Sequence, residues 1–331
     1  MVKEIFSHSR LSLLIGLNLM KVDKHKSILI PEYICNDLTC TLSEAGYHFI
    51  FYKLDNFLNP NWRYINSLDL NNITAIMMVH YFGFPQKIDD YQSFCKKNNL
   101  LLIEDNAHGF GGVFEQKPLG SFGDIGFSSP RKTLSLLSGS YLYLKEKFEK
   151  INDYPPKKRY KVTLKELIKN VVGSNYSFKS YLRFFLKRSP NFENFHRNEI
   201  HMHDLGLIDK FSQFKLKISD LDGLLLKRRK IYLIWLDFAN KNHIKPLYDS
   251  LPDGVVPLCF PVRVNDSQER NFWLDWGWKN QLITYQWPTL PRQVLNGSYN
   301  AVSLRQNIIC FPIDINMSEK YLSLKLKNFV K

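Results

Sequence analysis

The chain lacks any apolar run approaching the roughly 20 residues that a membrane-spanning helix needs. It has little cysteine: Cys35, Cys40, Cys95, Cys259 and Cys310 are scattered and odd in number. That pattern suits reduced thiols in a cytosol better than a disulfide framework. No cysteine–histidine group has the spacing of a zinc site. The opening MVKEIFSHSRLSLLIG carries no signal-peptide cleavage pattern, so the expected location is cytoplasmic. Internal repeats and low-complexity tracts are missing too. Acidic residues are scarce: 45 Lys and Arg stand against 31 Asp and Glu, a net charge of +14. What remains is a 331-residue chain, 44% apolar, long enough for one large α/β domain and a smaller second one.

The charge excess is local. Residues 145–190 hold 13 Lys or Arg against 4 Asp or Glu, a net +9. A surface this basic needs a local explanation in an anionic substrate, an anionic lipid or a nucleic acid.

The first 144 residues alternate short apolar runs with helical patterns. Arg10 to Met20 reads as a helix, SILIP as a strand and Cys35 to Ala45 as a second helix. HFIFYKLD reads as a strand ending on Asp55, and ITAIMMVH as one ending on His80. Ile88 to Asn98 is helical, NLLLIED is the next strand, and DIGFSS and SYLYL flank a lysine loop. This alternation predicts a mostly parallel sheet covered by helices on both faces. Ligands in such sheets bind outside the carboxyl ends of the strands, where His80, Asp105 and Ser128 fall. Within 145–204, Leu164, Leu167, Ile168, Val171 and Val172, then Phe178, Tyr181, Leu182, Phe185 and Leu186, give two helical stripes split by Gly173–Asn175. They predict a basic amphipathic hairpin with Ser174 or Ser177 as the second N-cap. Beyond Leu205, a long helix over Leu216 to Phe238 and strands in PLCFPVRV, QLITYQW and IICFPI suggest a small α+β domain. The expected division is 1–144, 145–204 and 205–331.

The central segment LLIEDNAHGFGGVFEQKPLGSFGDIGFSSPRKTL concentrates the chemistry. It stops an apolar strand on Glu104 and Asp105 and closes on a small-residue turn and Lys132. A strand-end carboxylate, hydroxyls and a lysine suit pyridoxal 5'-phosphate (PLP), which has a basic ring nitrogen, a phosphate and an aldehyde. Lys132 supplies the amine for a Schiff base and Asp105 the partner of the ring nitrogen. Ser128 and the helix start Ser9–Arg10–Leu11 supply phosphate ligands, and His108 a group to stack on the ring or bond it. Singly, each has a bland reading: a solvated turn lysine, a helix-capping aspartate, a satisfied histidine. Their order and strand context favour the joint reading.

IEDNAHGFGG followed by KPLGSFGDIGFSSPRKTL resembles the signature of the DegT/DnrJ/StrS sugar aminotransferases, fold type I PLP enzymes. HSRLSLLIGLNLM, SILIPEYIC, GYHFIFYKLD and MMVHYFGFP resemble further segments of that family, and FPVRV, WPTLP and FPID do so more loosely. The resemblance implies Lys132 as Schiff-base lysine, Asp105 as ring-nitrogen partner and His108 beside the ring. It also implies Ser128, Arg10 and Leu11 at the phosphate. It further implies a homodimer that moves an amino group, usually from glutamate, to a nucleotide-linked keto-sugar for surface polysaccharide or deoxysugar synthesis. Family members with histidine in place of the lysine include sugar dehydratases. A PLP-dependent dehydratase or eliminase, and an inactive scaffold of the same fold, are the alternatives.

The chain departs from the family at Ser138–Gly139–Ser140, where a glycine pair is usual, and at Cys35, where an aromatic residue often stacks on the ring. Tyr33 or His108 could replace that aromatic. The serine-to-lysine spacing is one residue shorter than common, and a divergent, N-terminally short member is expected. Three readings of the basic hairpin compete. It is a packed insertion with solvated lysines, a positive rim for a substrate diphosphate or an anionic membrane surface at 157–188, or a nucleic-acid contact. The last is not expected, because no recognised nucleic-acid module is present.

Overall fold

The computed structural model describes residues 2–145, 158–186, 206–297, 300–327 and 329. Among them, β1 (Val2–Phe6), β2 (Ser27–Pro31), β3 (His48–Tyr52), β4 (Ile73–Val79) and β5 (Leu101–Asn106) lie in one sheet. A two-stranded ribbon of β6 (Val113–Phe114) and β7 (Lys117–Pro118) follows, and β8 (Ile125–Ser128) and β9 (Ser140–Leu144) complete the sheet. The order is β1-β9-β8-β5-β4-β2-β3. Pairings from β3 through β8 are parallel, whereas β8–β9 and β9–β1 are antiparallel. The central strands are apolar on both faces and are buried on both, as in Ile28–Ile30 and Ile76–Met78, because helices cover each side.

Five helices belong to this unit: α1 (Ser9–Leu19), α2 (Asn36–Glu44), α3 (Trp62–Ile65), α4 (Ile88–Asn98) and α5 (Pro130–Leu134). In α4, Asp89 and Asp90 occupy the first turn and Lys96 and Lys97 the last, matching the helix dipole. A left-handed Asn99 ends it. α1 lies flush on β8 because Gly16 has no side chain; a Cβ there would come within 2.4 Å of Ile125 Cγ2.

The hairpin predicted between 164 and 186 is present as α6 (Leu164–Gly173) and α7 (Tyr176–Phe185). Thr163 and Glu166 form a capping box on α6. Asn175, not Ser174 or Ser177, caps α7, its side chain accepting from Phe178 N. The predicted basic segment also includes 146–157 and 187–204, which lie outside the described residues.

The remaining chain builds a smaller α+β unit. Its helices are α8 (Lys210–Ile218), α9 (Leu221–Lys241), α10 (Ser267–Lys279), α11 (Arg292–Leu295), α12 (Ala301–Asn307) and α13 (Glu319–Lys327). Its antiparallel sheet has the order β10 (Lys245–Pro246), β11 (Cys259–Arg263), β12 (Ile308–Pro312). Trp235, Phe260, Trp273 and Phe311 pack between helices and sheet, and Trp235 Nε1 donates to Pro312 O at 2.9 Å.

Some expectations change. The helix read over Leu216 to Phe238 is two helices, because Ser219 is extended and Asp220 caps α9 by accepting from Gly223 N. QLITYQW forms no strand but one bridge, Tyr285 to Cys310, and Pro288 just beyond has no N–H to extend a ladder. β3 stops at Tyr52, and Asp55 instead closes a turn by accepting from Phe57 N and Asn59 N. β1 was not foreseen. Among the described residues no helix is long and apolar enough to cross a membrane.

Candidate active site

β5 ends in three buried polar residues whose side chains alternate between the faces of the sheet. Glu104 takes one face. Its Oε1 accepts from Gly120 N at 2.6 Å and from His80 Nε2 at 2.9 Å; its Oε2 accepts from Phe122 N at 2.6 Å and Gly123 N at 2.9 Å. His80 Nδ1 accepts from Gln86 N, which leaves the proton on Nε2. Asn106, on the same face, donates to Gly109 O and Leu119 O. These two side chains fix the loop from 109 to 123.

Asp105 takes the other face. Its Oδ1 accepts from Ala107 N at 2.8 Å. Burial pushes its carboxyl above the usual range, against the pull of Lys132, Ala107 N and His80. Lys132 belongs to α5, the one-turn helix after β8, which starts at Pro130 and stops at left-handed Ser135. Burial pushes the Lys132 amine below its usual value, with Arg131 adding to the effect; Cys35 and Asp105 oppose it. Its side chain is nonetheless solvent-accessible. Protein surrounds it but does not seal it, as befits a group in a recess. Its desolvation is accordingly partial.

His108 forms part of the wall. Its Nδ1 accepts from Phe82 N at 3.2 Å, its ring stacks on Phe82 at 6.0 Å, and the Trp287 ring meets it edge-on at 4.5 Å. Burial, then Lys132, hold His108 well below the usual histidine range, so it is neutral. Tyr33 donates to Trp287 O and lies fully buried. Cys35 keeps partial exposure beside Lys132, and burial pushes its thiol up.

The start of α1 completes the site. Arg10 lies 3.8 Å from Asp37, and Leu11 is buried. Leu11 N and Ser12 N donate to His8 O at 3.0 and 3.2 Å; the helix start ahead of them favours an anion. His8, the residue before α1, is buried with Nδ1 lacking a hydrogen-bond partner. Burial, Arg131 and Arg10 hold it well below the usual range. Ser128 ends β8 with its hydroxyl 3.2 Å from Tyr143 Oη. Lys132, Asp105, His108, Arg10, Leu11 and Ser128 thus come together at one end of the sheet.

The serines that depart from the family pattern have definite contacts. Ser140 Oγ accepts from Ser12 Oγ at 2.8 Å, donates to Ser128 O at 3.0 Å and lies 3.2 Å from Ser9 Oγ. It ties the α1 start to the β8 end. Ser138 Oγ donates to Asp209 Oδ2 at 2.5 Å, while Leu137 N and Ser138 N donate to Ser212 Oγ. Sequence reasoning missed these roles, and also two residues from the distal unit. Trp287 closes the wall. Arg228, buried in α9, donates to Thr133 O, Pro257 O and Leu258 O, bracing α5 beside Lys132. The signals were the WPTLP segment and the Lys227–Arg228–Arg229 run, whose partners are too distant in sequence to assign.

A lysine in a recess, a buried carboxylate facing it, and an anion-favouring helix start with Arg10 and Arg131 nearby fit the amine, ring-nitrogen and phosphate requirements of PLP. The sequence model of the DegT/DnrJ/EryC1/StrS aminotransferase family matches residues 7–145. A GDP-perosamine synthase of Escherichia coli O157:H7 is 26% identical over 147 residues, which cover 43% of this chain and 40% of that protein. A GDP-4-keto-6-deoxy-D-mannose 3-dehydratase of Escherichia coli O55:H7 is 27% identical over 111 residues, covering 33% and 29%. The PLP form of a Streptococcus pneumoniae sugar aminotransferase superposes with a TM-score of 0.70 at 15% identity, covering 98% of this chain and 85% of that one. The sequence matches therefore span less than half of the curated relatives, while the fold likeness extends over nearly the whole chain. The fold is that of type I PLP enzymes.

Proposed function

We propose that the chain, whose residues 7–145 match the DegT/DnrJ/EryC1/StrS aminotransferase family model, is a PLP-dependent aminotransferase of that family. It would act in the cytoplasm on a nucleotide-linked keto-sugar, with glutamate as donor, in surface polysaccharide or deoxysugar synthesis. The observation that carries this reading is Lys132 in a recess facing the buried carboxylate of Asp105.

PLP, when bound, supplies an electron sink for the carbon that carries the amino group. The residues do the rest. Asp105 is held by Ala107 N and partners the ring nitrogen. Lys132 Nζ takes and returns the proton at the reacting carbon, and its lowered basicity raises the fraction of free amine at neutral pH. Neutral His108, backed by Phe82 and Trp287, lines the ring without adding charge. The start of α1 at Arg10 would hold the phosphate; Leu11 N donates to His8 O at 3.0 Å and shapes that turn, with Ser128 locked behind it through Ser140. A homodimer is the expected assembly.

The test is a visible absorption band that grows when PLP is added and is lost in Lys132→Ala. Amine transfer from glutamate to a panel of nucleotide keto-sugars then decides the reaction. A dehydrated product without amine transfer would favour the elimination reading that the dehydratase relative suggests. No band with excess PLP would sink both.

A further inference from the structure

Surface helices normally bury their apolar stripe and leave the polar face in water. The hairpin does the reverse. α6 is fixed to the body by polar groups: Glu166 Oε1 accepts from Tyr160 Oη at 2.6 Å, Asn170 Nδ2 donates to Ser135 O at 2.8 Å, and Gly173 O accepts from Asn316 Nδ2 at 3.0 Å. Its apolar stripe of Leu164, Leu167, Ile168 and Val171 faces outward, with Leu164 72% and Val171 65% exposed. α7 is seated on Tyr176, on Lys179 paired with Asp314 at 3.4 Å, and on buried Ser180. Phe178, Tyr181 and Phe185 lie on the opposite side, Phe185 69% exposed. Single exposed apolar residues need no explanation. Seven at helical spacing on two adjoining helices form a patch that asks for a partner.

Charge selects the partner. Residues 158–186 contain seven Lys or Arg and one acid, Glu166. Lys161, just ahead of α6, and Lys165 and Lys169 on the flank of its stripe are exposed and recur every fourth residue. We propose that the α6–α7 hairpin docks the protein on an anionic lipid bilayer. The apolar side chains enter the boundary between headgroups and acyl chains, and the lysines meet lipid phosphates. A second copy of the chain fits less well, since a twofold contact would bring the lysine rows together. A nucleic acid would take up the lysines and leave the aliphatic stripe in water. Because Asn170 is bonded to Ser135 at the end of α5, the docked element would also touch the helix that carries Lys132.

The test uses the full chain and does not depend on the aminotransferase reading. Sedimentation with vesicles of phosphatidylcholine containing about a third phosphatidylglycerol is compared with pure phosphatidylcholine. The expected result is binding to the anionic vesicles that weakens about tenfold or more on neutral vesicles and in about 1 M salt. Ile168→Asp with Phe185→Asp removes it, and Lys165→Glu with Lys169→Glu weakens it and flattens its salt dependence. Thermal unfolding and the PLP absorption band stay unchanged in these exposed-site variants, which separates lost docking from lost folding or cofactor. Three outcomes overturn the proposal: no sedimentation with anionic vesicles, equal sedimentation of the Asp double variant, or a dimer that Ile168→Asp with Phe185→Asp splits while lipid binding is absent throughout.

Discussion

At the carboxyl ends of β4, β5 and β8, polar groups are buried and mostly answered: Glu104 by four donors, the Asn106 amide nitrogen by two carbonyls, Asp105 by an amide and the nearby lysine, while Asn106 Oδ1 has no partner. On α6 and α7, apolar groups are exposed and only the polar side is answered. The two regions share a rule and differ in its outcome. An unmet polar group inside costs a desolvation penalty, so most polar groups at the sheet end are bonded, with His8 Nδ1 and Asn106 Oδ1 as exceptions. An unmet apolar stripe outside costs nothing in bonds and is removed from water only when a partner arrives.

The largest expected effect tests the first half of that contrast on neighbouring residues. Glu104→Gln should lower unfolding free energy by about 3 kcal/mol, since an amide offers one acceptor to donors that a carboxylate meets with two oxygens. Asp105→Asn should leave stability nearly unchanged and reduce amine transfer by about 10²–10³-fold. Urea unfolding and steady-state rates measure the two. If the losses are exchanged, the division of the pair into a structural and a functional acid is wrong.

Next comes the pH dependence of the cofactor-free protein. His8 and His108 both lie well below the usual histidine range when folded. As pH falls through that usual range, the unfolded chain gains protons that the folded one refuses. Stability is therefore full above it and falls on acidification, by at most about 1.4 kcal/mol per pH unit for each histidine. Unfolding midpoints between neutral and mildly acid pH should show this slope, and His8→Asn or His108→Asn should each flatten it.

The same contrast explains what was legible in the sequence. Ile76–Met78 and Leu102–Ile103 read as strands because both faces are apolar, and nothing else buries such runs. Asp105 and Lys132 were legible because the motif that places them is contiguous. The stripe on α6 was legible as a helix, yet its periodicity carries no sign and could not say which side would dock. Arg228, Trp287 and Asp209 were not legible as site residues because Arg228 and Asp209 reach the lysine loop, and Trp287 reaches His108, from more than seventy positions away in sequence. The Ser219–Asp220 break was missed because apolar spacing continues across it and only the cap interrupts it.

A smaller effect bears on the serines. Ser140→Ala should cost about 1 kcal/mol, because it leaves Ser12 Oγ and Ser128 O without their shared partner. PLP affinity should fall with it, since those bonds join the α1 start to the β8 end. Titration of the absorption band checks the second effect independently of the first.

The smallest effect lies in the hairpin. Lys179 and Asp314 are 3.4 Å apart and 35% and 14% exposed, so solvent screens them and Lys179→Met should cost less than about 1 kcal/mol. Asp314 keeps its bond from Asn316 N, so the substitution does not strand it. The loss should vanish at high salt, leaving α7 held by Tyr176, whose hydroxyl accepts from Ile283 N at 2.8 Å. A loss that persists at high salt would mean that the polar side is held by packing rather than charge. A gain in stability would be more telling. It would mean that α7, once its buried side becomes apolar, docks better, and that the outward position of Phe178, Tyr181 and Phe185 is maintained at a cost to the fold.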